Sequence, residues 1–384
     1  MDKLTLDLNK IDHMMVEDLL RKGVDINYCG VYNNLCYSLL MAAVEENNDK
    51  LVEFILSKGA DPNKLIQCHS KFAMTALHAA IFTENIKIKI IHHLLDYGAN
   101  IDLSAIDGEK EHEEFSSPLQ YAVHTENEVI VKLLLSKGAN VNFKTKNDNT
   151  ALHIACMYEN SNIVDYLLKY GANVNAVSDN KLTKGQTAIY NAISWNQTEA
   201  VKLLLNNDAD INIQDANGKS PLKLLNENTN DEIHVIMKQH VVKLVIANIH
   251  VNAYNLQEIV NDNSLNNFRN ICKNEIEKMK TEKISGTNVL FYNIFIKNIH
   301  QLALYAKNKK IRSELSDPMK LSFLFPQYAF ILVNRFKKGL HRKKLLERVE
   351  NFILDIFIDK FPNTFIRQIF FYLSNDDLEI LGTI

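Results

Sequence analysis

One phrase of apolar and polar residues recurs along the first 225 residues of the chain. Each copy opens with Ser or Thr, continues through a short apolar stretch with small residues, and closes a second apolar stretch with Gly. Five copies reach this ending. In four of them the Gly (Asp208 in one copy) lies 21 positions after the opening residue, and in the fifth it lies 23 positions after. This spacing predicts pairs of short helices that repeat about every 33 residues. The copies start at Ser38, Thr75, Ser117, Thr150, Thr187 and Ser220.

The residue types in the phrase fit such helix pairs. An opening Ser or Thr can cap the first helix, because its side chain accepts a hydrogen bond from an orphan amide. Pro118 and Pro221 follow two of these caps, at a position where a missing N–H costs nothing. The closing Gly permits the left-handed conformation that ends many helices, and the Asp/Asn-x-Asn/Asp segments after it suit tight turns. Small residues that allow close helix stacking are Ala43, Ala80, Ala122, Ala155 and Ala192.

Thr75-Ala-Leu-His-Ala-Ala80, followed by Gly98-Ala-Asn-Ile-Asp102, closely resembles the ankyrin consensus. The resemblance implies an ankyrin-repeat solenoid of about six or seven helix-turn-helix units with short β-turn fingers, and hence a binding surface rather than an enzyme. We expect this array to occupy residues 1–230. The unit that ends at Asn27 lacks most of its first helix, and the unit that starts at Ser220 never reaches the usual ending, as expected for capping units.

After the last copy the repeat register is lost, and the remaining apolar patterns predict helices. Breaks are indicated at Ser285-Gly286, Asp317-Pro318 and Phe361-Pro362. We therefore expect an all-α protein apart from the fingers, with a helical connector over 231–284 and a helical C-terminal domain over 285–384. The predicted helices span roughly 231–248, 254–280, 287–308, 320–335 and 341–360.

The segment from Phe361 to Leu378 resembles the opening of an F-box. Counted from Pro362, an apolar residue follows at +3, Ile at +7, Tyr-Leu at +10 and +11, and Asp-Leu at +15 and +16. F-boxes commonly carry Glu at the position of Thr364. Because their later helices lie beyond the end of this sequence, we expect a truncated F-box over 361–384.

An ankyrin array that ends in such a segment is similar to the poxvirus ankyrin proteins, whose C-terminal module is called PRANC. Related modules also occur in some parasitoid and endosymbiont proteins. The resemblance implies a substrate adaptor, in which the F-box-like end binds the host Skp adaptor of a cullin–RING ubiquitin ligase and the repeats select a host protein. It also implies action in the host cytoplasm, with the nucleus as a second compartment. The residues that would contact Skp are Pro362, Phe365, Ile369, Phe370, Leu373 and Leu378.

The variable pair of residues after the small residues of each first helix is the candidate target-binding site. In ankyrin arrays these positions face the concave groove, where aromatic residues can become buried anchors in a partner. In the alternative interpretation, Trp195 and Tyr158 only cover the neighbouring repeat. The ten residues, termed the groove column below, are Glu45, Glu46, Phe82, Thr83, His124, Thr125, Met157, Tyr158, Ser194 and Trp195.

Two histidines, His78 and His153, invite a catalytic or metal-binding interpretation. Both occupy one fixed slot of the repeat, and a residue that carries chemistry would not be replaced so freely there, so we interpret the slot as structural. The other copies hold Met41, Gln120, Tyr190 and Lys223 in this slot. The sequence has no phosphate-binding Gly-Lys-Ser/Thr loop, no His-Glu-x-x-His and no zinc-finger spacing of Cys and His. We therefore expect no catalysis, cofactor or metal.

Composition narrows the choice of partner. A net charge of −3 gives no basic field that would attract nucleic acid. Five scattered cysteines favour free thiols in a reducing compartment. The apolar runs are too short to span a bilayer. The basic stretch from Arg335 to Lys344 would suit a nuclear localisation signal or a nucleic-acid patch, but a solvated helix face is favoured, because no aromatic platform accompanies it. A sequestering inhibitor that recruits no ligase remains the alternative to the adaptor.

Overall fold

A computed structural model describes most of the chain, which divides into two compact units. The first comprises Met1–Leu203 with Ile213–Leu224, and the second Leu204–Asn212 with Leu225–Ile384. The described residues are 8, 11–32, 35–67, 72–83, 85, 87–107, 117–144, 149–179, 183–225, 229–357, 373–375 and 378.

Paired short helices build the first unit, as the recurring phrase predicts. The first helix of each pair is mostly seven residues long and the second is nine. The boundary between the units falls between Leu203 and Leu204, within the last of these helices. The helices are α1 His13–Arg21, α2 Leu39–Glu45, α3 Asp49–Ser57, α4 Ala76–Phe82, α5 Ile88–Asp96, α6 Pro118–His124, α7 Glu128–Ser136, α8 Ala151–Ala155, α9 Ser161–Lys169, α10 Ala188–Ser194 and α11 Thr198–Asn206.

The predicted caps begin these helices. The Ser38 hydroxyl accepts a hydrogen bond from the Met41 amide at 3.1 Å, and Ser117 and Gln120 form a reciprocal capping box. Pro118 is the first residue of α6, as predicted, whereas Pro221 opens only a short 3₁₀ turn. The small residues expected between stacked helices are all buried, at Ala43, Ala80, Ala122, Ala155 and Ala192.

Short antiparallel strands form the fingers that the array resemblance implies. The strand β1 Cys29–Tyr32 pairs with β2 Leu35–Ser38, and Cys29 lies opposite Ser38. A second sheet has the order β3-β4-β5, with β3 Ile66–Gln67, β4 Phe72–Met74 and β5 Ile106–Asp107. No other strands occur in the part of the chain that the structure describes.

Side-chain hydrogen bonds join the turns of successive repeats into what is termed the Asn ladder. The Asn63 side chain accepts from the Asn100 amide at 2.6 Å and donates to the Gly98 carbonyl at 2.9 Å. The Asn63 side chain thus ties its own turn to the turn of the next repeat. In equivalent bonds, the side-chain oxygens of Asn27, Asp102 and Asn142 accept from the amides of Asp61, Asn140 and Asn173, respectively.

The same bond pattern recurs in the second unit, where the sequence analysis found no further repeat ending. Asn212 accepts from the Asn252 amide at 2.8 Å and donates to the His250 carbonyl at 3.2 Å. Asn248 has φ of 56°, in the left-handed region that Gly occupies elsewhere. The loss of register after the Ser220 copy was therefore placed too early, because Asn248-Ile-His-Val-Asn252 replaces the usual Gly-Ala-Asn-Val-Asn ending.

Helices of the second unit differ in several places from the predicted ones. The expected helix over 254–280 is divided into two, because Asp262 bonds to the Ser264 amide and hydroxyl in a local turn. The expected helix over 287–308 begins only at Asn293 and is also divided. The helices are α12 Asp231–Ile246, α13 Ala253–Val260, α14 Asn266–Thr281, α15 Asn293–Ile296, α16 Ile299–Tyr305, α17 Lys309–Glu314, α18 Pro318–Ser322 and α19 Ala329–Phe357.

A third difference concerns the longest helix. The pattern predicts separate helices over 320–335 and 341–360, but α19 runs without a break through Gly339. Gly339 faces α16, where an added Cβ would lie 2.5 Å from the Leu302 Cβ and 2.7 Å from its carbonyl carbon. Gly339 therefore serves close helix packing inside α19.

The start of α19 is fixed by a carboxylate from another helix. Glu275 in α14 accepts hydrogen bonds from the Gln327 amide at 3.0 Å and from the Tyr328 amide at 3.1 Å. Burial raises the pKa of Glu275, and these amide bonds oppose that shift. Amides before the first turn of a helix lack intrahelical partners, so Glu275 acts as a cap supplied by a different helix.

Candidate functional site

The groove column lies where the first helices end. Glu45, Phe82, His124 and Ser194 are the last residues of α2, α4, α6 and α10, and the second member of each pair is the residue that caps the helix. Met157 and Tyr158 follow the shorter α8 within its turn. All five pairs are at least partly exposed. The structure therefore places the predicted column at equivalent points of five successive repeats.

Phe82 combines exposure with support from the next repeat. Its ring is 43% exposed and meets Tyr121 edge-to-face at a centroid distance of 4.8 Å. Tyr121 itself is buried and lies 5.2 Å from the His78 ring in a second edge-to-face contact. Tyr121 is not part of the predicted column, although it is the one aromatic residue in a slot that holds Ala, Ile or Asn in the other four complete copies.

Tyr158 fits the alternative interpretation for this residue, because it covers the preceding repeat. Its hydroxyl lies 2.5 Å from His124 Nδ1, and the two rings are 5.8 Å apart in an edge-to-face arrangement. The pair holds two column residues in one geometry. Tyr158 is therefore oriented by its own chain, and its side chain stays partly exposed.

Trp195 is the most exposed aromatic residue of the column. It is 56% exposed at the end of α10, and it is the only tryptophan of the chain. Exposed Trp side chains supply much of the energy of protein interfaces once a partner covers them. Of the predicted anchors, Trp195 is thus the one whose surface is most available.

The other end of the column is acidic. The Tyr32 hydroxyl donates to Glu46 at 2.8 Å, and the Tyr37 hydroxyl lies 3.5 Å from Glu45. Burial raises the pKa of Glu45; the bond from Tyr37 opposes this shift and the neighbouring Glu46 adds to it. The column therefore changes from carboxylates at its first pair to aromatic rings at its last.

The fixed histidine slot has a structural role, which explains its variety. His153 accepts from the Thr150 amide through Nδ1 at 3.2 Å, so Nε2 carries the proton and points to the Gln186 carbonyl at 3.4 Å. Gln120 does the same with an amide group: it accepts from the Ser117 amide and donates to the carbonyls of Phe143 and Asn149. In these copies the slot side chain links the cap of its own helix to the next finger, whereas Met41 fills the same slot with a buried apolar side chain.

Burial keeps His153 of this slot uncharged near neutral pH. It lowers the pKa of His153 to about 4, chiefly by desolvation.

Over the described ranges, no group of three or more His, Cys, Asp or Glu side chains is placed to hold a metal ion. The described helices include none that is long and apolar enough to cross a membrane. Four cysteines are free thiols (Cys29, Cys36, Cys156 and Cys272), and Cys68 lies outside the described residues.

Only part of the predicted Skp-binding set lies within the described residues. Leu373 is half-buried and Leu378 is fully buried, with 0% exposure. The structure therefore gives no exposed position for Leu378, the last residue of the predicted set. Pro362, Phe365, Ile369 and Phe370 lie outside the described residues.

The basic stretch is not the uniformly solvated helix face that the sequence suggests. Arg335 donates to the carbonyls of Ile294 and Phe295 at 3.0 and 2.7 Å, and burial lowers its pKa. Arg342 is 3% exposed and donates to the Leu373 carbonyl. Both arginines are used inside the second unit, because their guanidinium groups donate to backbone carbonyls of other segments.

Family comparisons agree with this architecture. Residues 9–105 and 105–178 match the family described as ankyrin repeats (3 copies), and residues 176–225 match ankyrin repeats (many copies). The chain belongs to the ankyrin-repeat proteins. This fold is a typical non-enzymatic scaffold for protein–protein interaction.

Poxviruses encode similar proteins. A putative ankyrin repeat protein of Fowlpox virus (strain NVSL) is 27% identical over 383 residues, covering 95% of this chain and 97% of the relative. An ankyrin repeat domain-containing protein of Cowpox virus (strain Brighton Red) is 27% identical over 217 residues, covering 49% of this chain and 31% of the relative. The similarity to the fowlpox protein therefore includes the region that follows the repeats.

Solved ankyrin domains match a shorter part of the chain. The ankyrin repeat domain of Bcl-3, an IkappaB family member, covers 58% of this chain and 91% of its own at 26% identity, with a TM-score of 0.48. The human ASB11 ankyrin repeat domain covers the same shares at 23% identity, with a TM-score of 0.45.

Proposed function

We propose that this protein is a non-catalytic adaptor that binds a host protein in its ankyrin groove and recruits a Skp/cullin ubiquitin ligase through its C-terminal segment. Target binding in the groove is supported by one observation, the exposure of Phe82 and Trp195 where the first helices of their repeats end. Rigid helices hold both rings, so little conformational entropy is lost when a partner covers them. The resemblance of 361–378 to an F-box supports the second half.

Charge limits the kind of target. The column has two carboxylates, at Glu45 and Glu46, and no Lys or Arg. Nucleic acid would meet repulsion at that end, whereas a protein surface with an apolar centre and a basic edge would be complementary. The proposed target is therefore a protein, in the host cytoplasm or nucleus.

A sequestering inhibitor is the second candidate, and the burial of Leu378 favours it. In that case target binding alone would block a host factor, and the C-terminal segment would complete the fold of the second unit. The two functions share the groove and differ only in whether a ligase follows.

Affinity purification from host-type cells separates these candidates. The intact chain and a variant that lacks 361–384 are compared for their bound proteins. An adaptor brings down the target with both chains, but Skp and cullin with the intact chain alone. If Skp and cullin never accompany the intact chain while the target does, the sequestering function replaces the adaptor.

A further inference from the structure

Two cysteines of the first finger lie near each other on one face of its hairpin. The register places Cys29 opposite Ser38, and Cys36 opposite Val31. Because successive side chains of a strand alternate between its faces, Cys29 and Cys36 are diagonal neighbours on the same face. Both are free thiols, with Cys36 exposed and Cys29 partly exposed. An oxidant in solution can therefore reach the pair.

The two thiols contact each other, and a cation lies beside one of them. Burial raises the pKa of the Cys29 thiol, the Lys64 ammonium opposes that shift, and the charge and a side-chain hydrogen bond of Cys36 add to it. Lys64 also donates to the Asn27 carbonyl, which accepts from the Cys29 thiol at 3.9 Å. The ammonium is thus held beside Cys29, where its charge favours the thiolate that thiol–disulfide exchange requires.

The opposite face of the same hairpin holds the acidic end of the groove column. Tyr32 and Tyr37 are diagonal neighbours on that face, and their rings meet at a centroid distance of 5.4 Å. The Tyr32 hydroxyl donates to Glu46 at 2.8 Å, and the Tyr37 hydroxyl lies 3.5 Å from Glu45. Movement of one strand along the other would displace these hydroxyls from their carboxylates. The backbone of β1 and β2 therefore links the cysteine pair to the acidic pair.

A disulfide between the two cysteines requires such a movement. Diagonal neighbours in an antiparallel sheet have Cα atoms about 7–8 Å apart, whereas a disulfide usually joins Cα atoms roughly 4.4–6.8 Å apart. Closing the bond therefore draws the two strands along each other. A disulfide formed against such a displacement is reduced more easily than an unstrained one, so it persists only while the surrounding thiol pool is oxidised.

We propose that Cys29 and Cys36 form a reversible disulfide by exchange with glutathione disulfide, and that this bond releases Glu45 and Glu46 from their tyrosine contacts. First, the exposed Cys36 thiolate attacks glutathione disulfide, which forms a mixed disulfide and releases one glutathione. The Cys29 thiolate then attacks the Cys36 sulfur and releases the second glutathione. The protein loses two electrons, glutathione disulfide gains them, and the two thiol protons end on the released glutathiones. The inference goes beyond either candidate function, since both use the same groove.

One tryptic peptide, Gly23–Lys50, carries both cysteines and both carboxylates. The full-length chain is equilibrated in buffers with graded ratios of glutathione to glutathione disulfide. Its free thiols are then alkylated, and its accessible carboxylates are labelled with a carbodiimide and glycine ethyl ester. Mass spectrometry of this peptide reports the thiols and the access to Glu45 and Glu46 together. Cys29→Ser and Cys36→Ser cannot close the bond, and Cys68→Ser is the matched control, because it removes the nearest other cysteine in the sequence.

In oxidised wild type and Cys68→Ser, the peptide should escape alkylation and lose two hydrogens. Labelling of Glu46 should rise by roughly fivefold, the change expected for the loss of one hydrogen bond, and reduction should reverse both effects. Cys29→Ser should stop at the mixed disulfide of Cys36 with glutathione, with Glu46 labelled as in the reduced chain. A wild-type peptide that also stops at the mixed disulfide would refute the redox pair. An internal disulfide that leaves Glu46 labelling unchanged would refute its coupling to the groove.

Discussion

The repeat position that holds His153, Gln120 and Tyr190 shows that different residue types can fill one structural role. His153, Gln120 and Tyr190 all reach from a first helix to carbonyls of the next finger, although one is an imidazole, one an amide and one a phenol. Each of the three supplies a donor that reaches those carbonyls. A buried donor without its partner would cost more than the bond gains, so a polar side chain in this slot is paired, whereas Met41 carries no donor that needs a partner.

His153 should make the stability of the array depend on pH. Its pKa is about 4 when folded and about 6.5 when unfolded, so the unfolded chain takes up the proton first as pH falls. The contribution is complete above about pH 6.5 and is lost between there and about pH 4, with a loss of about 2 kcal/mol by pH 5. Urea unfolding at pH 7 and pH 5 measures it.

The matched control is His153→Gln, because Gln120 satisfies the same slot without titrating in this range. The variant should lose less stability than wild type between pH 7 and pH 5. Equal losses in both proteins would show that this histidine is not the titrating group.

Trp195 and Tyr158 should carry target affinity. The double change Trp195→Ala with Tyr158→Ala should weaken target binding by about 2 kcal/mol or more, as buried aromatic anchors do, while the fold is retained. Tyr158→Phe is a useful companion, since it keeps the ring and removes the contact to His124. Calorimetric titration with the purified target tests both, and equal affinity in the double variant would move recognition to the fingers or the second unit.

At the scale of elements, the sequence predicts the repeats better than the helices after them. Ser117, Pro118 and Gly138 mark helix boundaries in residue types whose backbone chemistry is local, and all three act as expected. The second unit depends on contacts between distant segments. Gly339 lies inside α19 and serves packing on α16, and Glu275 caps a helix more than fifty residues away. No local pattern reveals such contacts.

Gly171→Val should destabilise the array by more than about 1 kcal/mol. Gly171 has φ of 88°, and nothing lies within 4 Å of an added Cβ, so the cost is conformational and not a clash. Gly171→Asn is the matched control, because Asn tolerates the left-handed region, and it should cost much less. Thermal unfolding compares the two, and a valine variant as stable as wild type would contradict the repeat boundaries.

Gly339→Ala should destabilise the second unit even though Ala favours helices by about 1 kcal/mol over Gly. The added Cβ meets the backbone of Leu302 as well as its side chain, and overpacking of this kind typically costs about 1–3 kcal/mol. Lys337→Ala, at an exposed position of the same helix, should be nearly neutral. A stabilised Gly339→Ala variant would mean that α16 and α19 are not in close contact.

At the scale of the whole molecule, the proposed adaptor requires two separate surfaces for two partners. The groove column belongs to the ankyrin array, whereas the F-box-like resemblance lies at the other end of the chain. The sequence predicts this division from the repeat register and the motif at 361–378. It does not reveal that Leu378 is covered by its own chain, because burial at that point depends on contacts with another segment, such as those of Arg342 in α19.

A reciprocal purification tests whether these two surfaces act separately. Target and Skp are quantified together on three full-length chains: wild type, Trp195→Ala with Tyr158→Ala, and Ile369→Asp with Leu373→Asp. We expect the first double variant to lose the target and keep Skp, and the second to lose Skp and keep the target. Loss of both partners from either variant, or no Skp with any chain, would contradict a two-surface adaptor.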